Sequence, residues 1–321
     1  MFRVKIGLYS ITYLGIWYKG GALSLVDFIG QAKKLGYSGV EIDGKRPHGH
    51  PLDFSAKARA EVKAITEGEG LEMIGLAANN DFMSPVDEHR EAQLMMVAEQ
   101  IKLCKDFGGK VMRLFLGWPG VTRVDGIARY EHSFSSWAER ANHTTRYEMW
   151  DTARSCFREL ARIAEGEGVI LALQNHEPFI RDYRDLVAMI EQVGSPAFKA
   201  CYDVANERSQ DGEHLRAGVR AVGALQALCH YNGEYTRDAN GKVVQRGIPF
   251  YSDYFGRVLN YPPYINELKK VGYKGYISYE FCYEALDEKW ELTDRAYVDK
   301  HTAMGLEYMR DLLESEGIYE E

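Results

Sequence analysis

The stretch TARSCFRELARIAEGEGVILALQNHEP, residues 152–178, decides how the rest of the chain is read. Its first half places apolar residues at helical spacing and ends at Gly168, the residue type that closes a helix in a left-handed cap. The run VILAL then reads as a strand buried on both faces. It passes straight into Gln174, Asn175, His176 and Glu177 before stopping at Pro178, so four polar groups cluster where an apolar strand ends.

The same alternation recurs along the whole chain. Apolar runs stand at 4–11, 37–43, 71–78, 110–117, 169–176, 198–206, 225–231 and 273–281, a helical pattern precedes each of the last seven, and one more helix follows at 300–317. Eight strands linked by crossover helices predict a closed (β/α)8 TIM barrel, an α/β fold with a parallel sheet. No linker or shift in composition interrupts residues 1–321, so one domain is expected. The chain departs from the simple repeat twice, in long insertions after the fourth strand (118–150) and the seventh (232–264). Connections of that length in a compact barrel are binding loops, lids or subunit contacts, and both are rich in aromatic residues. An oligomer is therefore an expected state.

Composition narrows the function. A formal net charge of −8 argues against a broad polyanion-binding surface, so no nucleic-acid partner is expected. There is no apolar stretch of roughly 18 residues and no signal-peptide pattern at the start, which predicts a cytoplasmic protein without membrane contact. The five cysteines are scattered, with no CxxC pair, as reduced core thiols are.

In a TIM barrel the C-terminal strand ends face one mouth, where the active site sits. These ends supply Glu41 and Asp43, Asn79 and Asn80, Arg113, then Gln174, Asn175 and His176, Asp203 and Asn206, His230 and Asn232, and Glu280. Asp203, His230 and Glu280 end three consecutive strands. Two carboxylates and an imidazole converging there suit a divalent cation, Mn²⁺ first, with Mg²⁺, Co²⁺ and Zn²⁺ open. Without a cation the two carboxylates would repel each other.

The order LALQNH, CYDVAN, LCHYN and ISYEF on strands five to eight resembles the xylose isomerase-like barrels, the sugar phosphate isomerase and epimerase superfamily. That resemblance implies one divalent metal held by a Glu, an Asp, a His and a second Glu, with the two Glu also acting as acid and base in epimerases. Here the metal positions fall on Gln174, Asp203, His230 and Glu280. Gln174 is a departure: an amide oxygen can bind a metal, but glutamine cannot be a general base.

The loop EIDGKRPHGHPLDF (41–54) and the opening SITYLGIWYKGG (10–21) also resemble the catalytic subunits of bacterial C-glycoside deglycosidases. That likeness implies a carbon–carbon lyase acting on 3-oxo-C-glycosides, paired with a small β-sandwich subunit. A keto-sugar epimerase or isomerase, or an inosose dehydratase-like enzyme, is the alternative, and a non-catalytic sugar-binding barrel the alternative of another class. Either enzyme would remove a proton beside a carbonyl. His48, His50, His143, His176 and Glu280 are the candidate acid and base groups. Lys45, Arg46, His50, Arg113, Asn175, Asn206 and Asn232 are the candidate contacts to a sugar or glycoside substrate. A zinc nuclease of the endonuclease IV type is disfavoured, because it needs a denser set of histidine and carboxylate ligands and a basic groove.

Overall fold

A computed structural model describes residues 3–247 and 258–321. Eight strands form a closed parallel barrel: β1 (Val4–Tyr9), β2 (Gly39–Asp43), β3 (Glu72–Ala77), β4 (Val111–Leu114), β7 (Ile170–Gln174), β8 (Phe198–Cys201), β9 (Gln226–Asn232) and β12 (Gly275–Glu280). Among the described residues four short strands lie outside it, the hairpins β5 (Thr122–Val124) with β6 (Ile127–Arg129) and β10 (Glu234–Arg237) with β11 (Val243–Arg246). The helices are α1 (Leu25–Leu35), α2 (Ala56–Gly68), α3 (Asp87–Asp106), α4 (Glu131–Ala141), α5 (Arg146–Glu167), α6 (Tyr183–Val193), α7 (Gly212–Val222), α8 (Tyr261–Val271) and α9 (Arg295–Ser315).

Local chemistry sets the helix limits. In α5, Thr145 and Glu148 exchange hydrogen bonds in a capping box, and Gly168, at φ +71°, ends the helix in the left-handed region that only glycine enters freely. Gly75 in β3 is required by a close approach: a Cβ there would lie 1.7 Å from the carbonyl oxygen of Val111 on β4.

Side chains alternate between the barrel interior and the helical layer with period two. Ile74, Ala172, Cys201, Leu228 and Tyr276 form a separate apolar cluster toward the N-terminal ends of the strands. Two residues after Ala172, Cys201 and Leu228 come Gln174, Asp203 and His230, so the same alternation sets a polar layer above an apolar plug. Intervening residues such as Leu171 and Leu173 join the larger core shared with the helices.

In the described residues both expected insertions carry regular structure. The first contains the β5–β6 hairpin and α4; the second contains the β10–β11 hairpin, with its residues 248–257 outside the described set. The sixth apolar run ends early as a strand, at Cys201. Asp203 Oδ1 accepts from the Ala205 amide at 2.8 Å and starts a single turn over Val204–Asn206. Among the described residues no helix is long and apolar enough to cross a membrane. All five cysteines are free thiols.

Candidate metal centre

The polar layer is one connected set of hydrogen bonds. Glu280 Oε2 lies 3.1 Å from His230 Nδ1, and His230 Nε2 lies 2.7 Å from Glu41 Oε2. Arg113 donates from Nε to Glu41 Oε1 at 3.0 Å and from Nη1 to Gln174 Oε1 at 2.6 Å. Gln174 Nε2 donates in turn to Asp203 Oδ2 at 2.8 Å, an oxygen that also accepts from Asn206 Nδ2 at 2.9 Å. All seven residues are buried. The chain of contacts runs around the barrel interior and leaves Asp203 and Glu280 as its two ends.

Asp203, His230 and Glu280 each offer one ligand atom, all within 4.8 Å of one another. Their electrostatics fit a cation. Burial, then the neighbouring Glu280, pushes the Asp203 carboxyl up toward its protonated form. Burial would do the same to Glu280, but His230 and Arg113 outweigh it and hold Glu280 below the ordinary carboxylate range. Burial opposes a charge on His230, yet Glu41 and Glu280 carry its pKa up to about 9. The centre without a cation thus stores protons on Asp203 and His230 that a dication would replace. Glu41 supplies the outer carboxylate that metal-binding imidazoles ordinarily have on their second nitrogen. The donor set therefore fits a divalent ion.

Beside this trio, Tyr9, Asp43, Lys45, Asn79, Arg113, His176 and Glu280 form the polar side of a cavity of about 60 Å³, and Trp17, Phe115, Trp118 and Tyr130 form much of the other. That volume is well below the roughly 300–1,000 Å³ of most ligand pockets, so a sugar requires the aromatic side to give way. Trp17 stacks on Tyr130 at 5.5 Å, and Trp118 packs edge-on against Tyr130 at 5.9 Å and His176 at 5.0 Å. His176 Nδ1 faces the Glu177 carbonyl oxygen at 2.6 Å. An acceptor there fixes the ring proton on Nδ1 and leaves Nε2 with its lone pair. Burial pushes His176 down to about 4, so it is neutral at pH 7. Lys45 donates to Asn79 Oδ1 at 3.0 Å, and Asp43 accepts from Tyr9 and Asn79. A larger hollow of about 450 Å³ opens among the N-terminal strand ends, beside Lys63, Lys110 and Tyr276, but it contains none of this polar set.

The structure separates the remaining expected residues from the mouth. His48 is buried, with Nε2 at 3.0 Å from the Leu23 carbonyl oxygen and its ring against Phe28, so it anchors the loop to α1. Arg46 makes a forked contact to Asp53 on the surface and pins its own loop. His50 precedes the Pro51–Asp53 turn and does not line the cavity. His143 is exposed between α4 and α5, away from both cavity and trio. Asn232 acts through its backbone, whose N–H donates to the Tyr261 hydroxyl oxygen at 3.0 Å. Asn175 is a support: its amide holds the Asp203 backbone on both sides and reaches Glu207. Glu177 turns outward to Arg181. Glu41, Asp43 and Tyr9 carry contacts at the site that sequence reasoning left without a role. A second group of Asp182, Glu207 and His214 gathers nearby, but Arg184 and Arg208 already balance Asp182 at 2.8 and 2.9 Å.

Residues 29–310 match the xylose isomerase-like TIM barrel family, and the chain belongs to it. No curated protein shows a significant sequence match. Among solved structures, the chain is similar to a D-psicose 3-epimerase from Clostridium cellulolyticum H10, at 18% identity and a TM-score of 0.68, covering 97% of this chain and 99% of that one. An L-ribulose 3-epimerase follows at 17% identity and 0.65, covering 98% and 97%. A 3-keto-D-glucoside 4-epimerase from E. coli gives 17% and 0.63, covering 95% and 100%.

Proposed function

We propose that the protein is a divalent-metal-dependent sugar enzyme of the epimerase or isomerase type, moving a proton on a carbon beside a carbonyl. The observation that carries this reading is the convergence of Asp203, His230 and Glu280 within 4.8 Å, next to a cavity that Glu280 and His176 both line. Similar structures named as keto-sugar and keto-glucoside epimerases support the substrate class. When bound, the cation, with Mn²⁺ the first candidate, polarises the substrate carbonyl and lowers the cost of the enediolate.

The chain's own residues supply the rest. Gln174 cannot exchange a proton, so a pair of glutamates is replaced by two unlike groups. Glu280, held ionised, and His176, held neutral with a free Nε2, are the two acid–base groups: one takes the substrate proton as a base, and the other, once it has gained a proton from solvent, returns one to the opposite face of the same carbon. Arg113 bonds through Nε and Nη1 inside the layer and borders the cavity, where its remaining edge meets a substrate oxygen. Lys45, which also borders the cavity, holds a sugar hydroxyl. Incubating the Mn²⁺-loaded protein with free keto-hexoses and with 3-oxo-glucosides in D₂O tests this. Deuterium entering beside the carbonyl, with an epimerised product, is expected; a fully loaded protein that exchanges no proton on either substrate class contradicts it.

One observation favours a second reading. The wall of Trp17, Trp118 and Tyr130 suits a flat aromatic group attached to the sugar. The same proton abstraction, at the carbon between a C3 ketone and C1, would then form a C1=C2 double bond as the bond from C1 to the aglycone carbon breaks, with a proton from an acid group or solvent going to that carbon, in the manner of a C-glycoside deglycosidase with a β-sandwich partner. Aglycone release from a 3-oxo-C-glucoside distinguishes the two readings.

A further inference from the structure

We propose that Gln174 is not a ligand of the cation but a neutral bridge, which with Arg113 completes a centre of three protein ligands. The inference rests on the metal-dependent reading above and deepens it. Gln174 has one atom able to bind a metal, Oε1, and Arg113 Nη1 holds it at 2.6 Å. Its other end, Nε2, donates to Asp203 Oδ2 at 2.8 Å. This amide orientation is dictated by its neighbours. Reversing it would set an NH₂ against a guanidinium and an oxygen against a carboxylate.

Arg113 cannot release that oxygen by swinging away. Its Nε is bonded to Glu41, and its guanidinium carbon lies 4.5 Å from the Tyr9 ring centre and 5.0 Å from that of Phe115. Charge gives the reason for an amide here. Glu41, Asp203 and Glu280 contribute three negative charges and Arg113 one positive charge. A dication with neutral His230 brings this buried layer to zero, whereas a glutamate at 174 would leave an uncompensated negative charge in it. Three protein ligands also leave open positions, as catalytic metal sites require. Gln174 and Arg113 are thus positioning residues that orient Asp203 and Glu41 around the centre.

The test uses Mn²⁺ and the full-length protein, wild type and Gln174→Met. Water-proton relaxation counts the water molecules on bound Mn²⁺. The bridge predicts the same number in both proteins, together with about tenfold weaker binding in the variant, because Asp203 loses an orienting partner. One additional water in the variant, filling a vacated position, overturns the proposal. A crystal structure of the Mn²⁺-loaded wild type tests the point without depending on how the variant folds: Gln174 Oε1 still on Arg113 supports the bridge, and Gln174 Oε1 at bonding distance from the ion overturns it while leaving the metal enzyme intact. Folded wild type that binds no Mn²⁺ overturns both readings.

Discussion

His230 Nε2 lies 2.7 Å from Glu41 Oε2, on the opposite side of the imidazole from Glu280. The two residues are 189 positions apart, on β2 and β9, and meet only because the barrel closes. A carboxylate at that position fixes which nitrogen of His230 carries a proton, and would leave the other to face a metal. Replacing Glu41 by Gln removes the charge and keeps the shape. Mn²⁺ affinity measured by competition with a chelator is expected to fall about 10- to 100-fold, with the fold retained.

The pH dependence follows from the same contact. His230 titrates at about 9 in the metal-free protein, above its ordinary value of 6.5, and Asp203 is also raised. A raised histidine contributes stability that is fully present below about pH 6.5 and lost as pH rises through about 9; Asp203 changes with the same sign at lower pH. The metal-free protein is expected to lose stability over that range, by about 3 kcal/mol at most from His230. Metal affinity should rise with pH over the same interval, because the ion displaces the protons. Thermal melts at pH 6.5 and 9, with and without Mn²⁺, check both trends; a metal-free protein equally stable at the two values is the opposing result.

His176 lines the cavity but stands outside the cluster of Asp203, His230 and Glu280 that could hold a metal. His176→Gln is expected to lower kcat by about 10²- to 10⁴-fold while bound metal stays at the wild-type level. Steady-state kinetics beside metal analysis separates this from a loss of the centre, and an unchanged kcat removes His176 from the acid–base pair.

Trp118 stands edge-on to both Tyr130 and His176. Trp118→Ala should raise KM by about two- to tenfold through lost ring contact. A larger increase for a glycoside bearing an aromatic group than for a free sugar would favour the lyase reading, and equal increases the epimerase reading.

Much of this arrangement was legible in the order of residues. Period-two alternation from Ala172 to Gln174, and from Leu228 to His230, follows from strand geometry, so the residue order alone gathers the strand ends at a common mouth. The loop at 46–50 misled because glycine, proline and histidine there resemble an active-site loop. Only the approach of Phe28 and Leu23 shows that His48 is buried against α1. Glu41 and Arg113 were visible as strand ends, but the Glu41–His230 and Arg113–Gln174 contacts join distant strands, and no local pattern encodes such pairs.

The most direct test of the central claim is metal content by mass spectrometry after loading with Mn²⁺ and desalting, for wild type, Asp203→Ala and His230→Ala, each first shown to be folded. The account predicts about one ion per wild-type chain and little or none in either variant. Folded wild type without bound metal, or variants that bind it as the wild type does, would contradict a centre built on Asp203, His230 and Glu280.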